Sequence, residues 1–70
     1  MTEFDLVQAL LGAIASGDDA DTEAVSQALA GRSSLVPALR PLLTDADPNR
    51  RWWAVRTLAL IGGVDAARLI

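Results

Sequence analysis

The stretch from Asp45 to Gly63 constrains the fold more than any other, because it carries both ends of one helix. Asp47 is a strong N-cap residue, and Pro48 follows at the first helical position, where its missing N–H is not needed and its fixed φ suits the helix. Gly62-Gly63 supplies residues able to take the left-handed conformation that stops a helix. Between these limits Arg50, Ala54, Thr57, Leu58 and Ile61 project to one side, with Trp53 and Leu60 on one flank and Arg51 and Val55 on the other. Trp52, Arg56 and Ala59 point away, so Trp53 is expected in the core and Trp52 in solvent.

The preceding run, Leu35-Val36-Pro37-Ala38-Leu39-Arg40-Pro41-Leu42-Leu43, has the apolar spacing of an amphipathic helix. Ser33 or Ser34 can cap it, leaving Pro37 in or near the first turn, whereas Pro41 must remove one internal hydrogen bond and bend the axis. Thr44-Asp45-Ala46 is too short for anything but an antiparallel return, so residues 33–63 are expected to form a helical hairpin.

Residues 1–31 read as a degenerate copy of that hairpin. Leu6-Val7-Gln8-Ala9-Leu10 matches Leu35-Val36-Pro37-Ala38-Leu39 at four of five positions, and the same displacement carries Asp18 onto Asp47. A first helix is expected from about Glu3 to Ala15, capped by Thr2 and buried through Leu6, Val7, Leu10, Leu11 and Ile14, with Phe4 joining them. Ser16-Gly17-Asp18-Asp19 is turn chemistry. Asp21 then caps a second helix with Ala24, Val25, Ala28 and Leu29 inside, closed by Gly31. Residues 64–70 open a further helix in which Leu69-Ile70 repeats Leu35-Val36. The expectation is an all-α chain: an α-solenoid fragment of two antiparallel helical hairpins, about four helices, plus the start of a fifth.

This pattern resembles a HEAT repeat of the short, bacterial, bilin-lyase-like kind. In that family the second helix follows an Asp-x-Asp-Pro turn and runs toward Leu-Gly-x-Ile-Gly. Asp45, Asp47, Pro48, Arg51, Ala54, Leu58, Ile61 and Gly62 match. Arg50 stands where a Val is usual, Trp53 where an Ala is usual, and Ala59 where a Gly is usual. Trp53 then needs room, which Ala24 and Ala28 could provide. The resemblance implies that Arg51 is structural and pairs with an Asp of a neighbouring inter-helix turn, Asp18 or Asp47. It also implies a protein-binding scaffold without catalytic residues. The alternative it leaves is an accessory subunit or fragment of a chromophore-lyase-like or other HEAT-containing enzyme assembly.

Composition points away from chemistry. The chain has no His and no Cys, which removes the commonest general base, the thiol nucleophile and the usual zinc ligands. Ser16, Ser26, Ser33 and Ser34 have no activating partner in sequence and read as cap or turn residues. Asp18-Asp19-Asp21 does not make an EF-hand loop, since no glycine follows Asp18 until Gly31. The expectation is no catalytic, cofactor or metal site. A net charge of −3 argues against nucleic acid. No apolar run approaches the length needed to span a bilayer and no basic leader is present, so the cytoplasm is the expected compartment.

A chain of 70 residues buries a small share of its surface. One that stops on Leu69-Ile70 reads as an N-terminal or truncated fragment, or as a fold completed by a partner. Its last hairpin is expected to expose Leu60, Leu69 and Ile70 with parts of Leu42 and Leu43, and to self-associate through that edge as a dimer. Trp52 and Arg56 are the other expected protein-binding residues, being of the types most enriched in interface hot spots.

Overall fold

The computed structural model describes residues 2–69. The chain is all-α, and among the described residues there is no strand. Helix α1 spans Glu3–Ser16, α2 Asp19–Ala28, α3 Val36–Leu39, α4 Pro48–Ile61 and α5 Gly63–Leu69. Short 3₁₀ segments, Ser33–Leu35 and Arg40–Thr44, bracket α3.

Local chemistry sets each helix start. The Thr2 hydroxyl accepts from the Asp5 N–H at 3.2 Å while the Asp5 carboxylate accepts from the Thr2 N–H at 3.0 Å, a reciprocal capping box. Asp18, rather than Asp21, caps α2: its carboxylate accepts from the Asp21 N–H at 3.0 Å. Asp47 caps α4 through the Asn49 N–H at 2.9 Å, with Pro48 in the first turn. Neither Ser33 nor Ser34 caps α3. Ser34 instead donates to the Glu3 carboxylate at 2.9 Å and ties that turn to the start of α1.

The proline-bearing segment is more broken than a single kinked helix. Prolines at 37 and 41 remove successive N–H donors, so only one turn of α-helix survives between two 3₁₀ stretches. The antiparallel return follows at Asp45-Ala46-Asp47, where the Asp47 N–H donates to the Asp45 carboxylate at 2.8 Å. Helix α4 ends at Gly62, whose φ of 71° and ψ of −167° lie in a region essentially reserved for glycine. Gly63 also has positive φ, 86°. This pair reverses the chain so tightly that α5 begins at Gly63, one residue before the expected boundary.

Two hairpins stack side by side. Helix α1 packs on α2, the α3 segment packs on α4, and α2 and α1 both lie against α4. Leu10, Leu29, Leu35, Leu39 and Leu58 are fully buried at the centre. Phe4, expected among them, is instead 70% exposed, because it falls on the side of α1 opposite Leu6 and Leu10. Helix α2 also turns a different face inward. Thr22 and Ser26 are buried and Val25 half-buried, while Ala24 and Ala28 are exposed. The space beside Trp53 is therefore bounded by Ala20 and not by Ala24 and Ala28.

Small hydroxyls at this joint let α2 approach α4, and each has a partner. Thr22 donates to the Asp18 carbonyl at 2.7 Å, and Thr57 donates to the Ser26 hydroxyl at 3.2 Å in the core. Helix α5 lies against α4 and the first 3₁₀ turn. Of the residues expected at an open edge, Leu42 is buried, and Leu43, Leu60 and Leu69 are half-buried. Ile70 lies outside the described residues.

Two stability outcomes follow from this packing. Trp53 is 5% exposed and Trp52 59%. Trp53→Ala should cost ~3–5 kcal/mol, comparable to the whole stability of a small domain, whereas Trp52→Ala should cost only the ~0.5–1.5 kcal/mol of its edge-to-face contact with Trp53. Urea unfolding followed by circular dichroism separates them, and equal midpoints for the two variants would contradict the packing. The buried hydroxyl pair should behave as a coupled unit. Thr57→Val alone should cost ~1–3 kcal/mol, and adding Ser26→Ala should cost less than the sum of the two single changes. Strict additivity in that cycle would mean the two hydroxyls do not interact.

Candidate protein-docking surface

The inner face of α4 is fixed in the core through Trp53, Ala54, Thr57, Leu58 and Ile61. Its opposite face therefore looks outward in a set orientation. There Trp52 and Val55, the latter 45% exposed, form an apolar strip with Pro48 and Ala59, and Arg51 and Arg56 line the same shallow groove. The positions 48, 52, 55 and 59 step by four, three and four residues, which keeps them on one side of the helix.

Trp52 is braced from beneath. Its ring meets that of Trp53 edge to face, with centroids 4.8 Å apart and planes at 81°, a geometry favoured by the aromatic quadrupoles. Beyond Trp52, on the α2 side, a second cleft is lined by Asp19, Ala20, Glu23, Asn49 and both indoles.

Arg56 reaches across to α2 instead of stacking on Trp52. Its Nε donates to one Glu23 carboxylate oxygen at 3.3 Å, and its Nη2 donates to the other. The Gln27 amide donates to the same carboxylate at 3.2 Å. The bonds from Arg56, then that from Gln27, hold the Glu23 carboxyl below its ordinary pKa, and Glu23 in turn raises that of Arg56.

Arg51 does not pair with Asp18 or Asp47. Its Nη1 donates to the backbone carbonyls of Asp45, at 2.7 Å, and Ala46, at 3.3 Å, closing the turn that precedes its own helix. The nearest arginine–carboxylate contact at this turn belongs to Arg50, whose Nη1 lies 3.4 Å from Asp45. The Asp45 carboxyl sits below its usual range, first because it accepts the Asp47 N–H and then through the Arg50 and Arg51 guanidiniums.

The residues expected to bind protein thus fall in different places. Trp52 and Arg56 share the α4 groove, whereas Leu69 lines a separate groove with Ser33, Pro37, Arg40 and Arg68. Leu60 is half-buried and lines neither. Val55 and Ala59 join the strip although no functional role was expected of them, and their spacing from Trp52 was the available signal. No group of three or more acidic, histidine or cysteine side chains able to hold a metal occurs among the described residues.

A family model described as HEAT repeats matches residues 5–70, nearly the whole chain. The chain belongs to the HEAT-repeat family. No curated protein and no solved structure matches it. HEAT repeats generally mediate protein–protein interaction. No helix among the described residues is long and apolar enough to cross a membrane. Within this HEAT unit the Asp45-Ala46-Asp47 turn is fastened by Arg51, whose Nη1 reaches the main-chain oxygens of both Asp45 and Ala46.

The ion pair between the two hairpins predicts a pH dependence. A carboxyl whose folded pKa is depressed contributes stability that is full above its unfolded value and is lost as pH falls through the folded one. Glu23 and Asp45 are both depressed, so stability should decline below about pH 5. Glu23→Gln should lower the thermal midpoint at pH 7 and flatten that decline. An unchanged slope in the variant would show that the Glu23–Arg56 pair does not couple α2 to α4 in solution.

Proposed function

We propose that this HEAT unit is a non-catalytic protein-docking module whose contact surface is the outward strip of α4, centred on Trp52. One observation carries the reading: a tryptophan 59% exposed on a helix whose other face is immobilised in the core. Trp and Arg are among the residue types most enriched in interface hot spots. Both residue types meet in this strip, with Arg51 and Arg56 beside Trp52. The lack of His and Cys in the sequence supports a module that performs no reaction itself.

The α4 strip takes the place of the C-terminal edge in this reading. Self-association through that edge rests on Leu60, Leu69 and Ile70, of which Leu60 and Leu69 are half-buried and Ile70 lies outside the described residues. The strip offers larger exposed apolar side chains on a firmer support.

The test compares two immobilised chains, wild type and Trp52→Ala, in an extract of the source cell. Wild type is expected to retain a protein that Trp52→Ala loses, and the purified partner should bind the variant about tenfold or more weakly, as for a central hot-spot tryptophan. A partner held equally by both chains would place the interface away from α4.

A further inference from the structure

Resting on that reading, we infer that the α4 strip receives an amphipathic helix whose apolar seam is flanked by aspartate or glutamate. The shape argument comes first. Pro48, Trp52, Val55 and Ala59 repeat with the alternating four-and-three spacing of a helix-pairing seam, so the groove they line accepts the side-chain ridge of another helix. A large residue at 52 and a small one at 59 give the seam a high end and a low end, which suits a partner of opposite taper.

Charge selects the partner. The charged residues lining the groove are both arginines, with no carboxylate among the lining residues. They sit on opposite sides of the strip, because 51 and 56 project to either side of the line through 52, 55 and 59. Arg56 already commits Nε and Nη2 to Glu23. Arg51 donates only to main-chain carbonyls, with the Asp45 carboxylate in its field, so neither of its hydrogen bonds is to a carboxylate. A partner acid on the Arg51 flank meets a guanidinium that has no carboxylate hydrogen bond of its own. A second copy of this strip would set arginine against arginine, and like charges across a contact are unfavourable. A helix with acidic flanks pairs with both.

The experiment uses the full chain and three synthetic helical peptides. All share one framework: leucine at the seam with glutamate flanks, leucine at the seam with lysine flanks, and serine at the seam with glutamate flanks. Tryptophan emission and acrylamide quenching report cover of Trp52, since Trp53 is already buried. The glutamate-flanked leucine peptide is expected to shift emission to the blue, to protect Trp52, and to bind about tenfold tighter than the lysine-flanked one, a preference that shrinks with salt. The serine-seam peptide should not bind, and Arg51→Glu should reverse the order of the two leucine peptides. The wild-type chain with the two leucine peptides decides the matter even if Arg51→Glu folds poorly. Equal or tighter binding of the lysine-flanked peptide, with Trp52 still protected, would overturn the acidic-partner inference while leaving α4 as the docking surface. No protection of Trp52 by any peptide, together with a natural partner indifferent to Trp52→Ala, would overturn both. Protection of Trp52 that rises with chain concentration alone would replace the acidic helix with a second copy.

Discussion

Burial of one face of α4 is the constraint on which the rest of the structure depends. The other helices and the second 3₁₀ segment all pack against it as a shared wall, and their side chains join it in one continuous core. Leu58 fills the centre of that wall and Ala54 allows close approach, both without exposed surface. Losing the wall would leave the α1–α2 hairpin with only its own internal contacts and would remove those of the second hairpin altogether. The helix is fixed at both ends by strong local chemistry, the Asp47 cap and the Gly62 stop, which settles its length before any tertiary contact forms.

The joint between α2 and α4 is the polar part of that wall. Helix α2 buries the hydroxyl residues Thr22 and Ser26, and α4 answers with Thr57. Such a joint holds only if its hydroxyls are satisfied, since an unpartnered buried hydroxyl costs as much as a good contact gains. They are satisfied, one by the α2 backbone and one across the interface. The Glu23–Arg56 pair closes the outer rim of the same joint. Of the three long helices, α2 has the least apolar burial, which makes it the cheapest to open.

What could be read from the sequence follows from how local each cause is. The start and stop of α4, the Thr2 cap and the hairpin return depend on neighbouring residues and were legible. The α2 start was placed three residues late because Asp18 and Asp21 are both competent caps, and the choice depends on which one the preceding Gly17 turn leaves extended. The inner face of α2 departs from the apolar pattern for a different reason. Apolarity favours Ala24, Ala28 and Val25, but the packing distance to α4 is met by small side chains that can also bond, and the pattern does not encode that. The contact of Arg51 was also hidden, because main-chain oxygens leave no signature in sequence.

Helix α4 is apolar on two opposite faces, and this explains both its weak one-sided pattern and its use. Inward, Trp53, Thr57 and Ile61 form one row and Ala54 and Leu58 another; outward, Trp52, Val55 and Ala59 form a third. The inner rows find their partners within the chain. The outer row does not, yet its backbone is held in place by the inner ones because all belong to the same helix. A docking surface ordered in advance avoids the entropic cost of fixing its side chains on binding, and Trp52 is already braced by Trp53. The same core contacts that stabilise the unit therefore also prepare its interface. A substitution at Trp53 would loosen both, while one at Trp52 should separate recognition from folding.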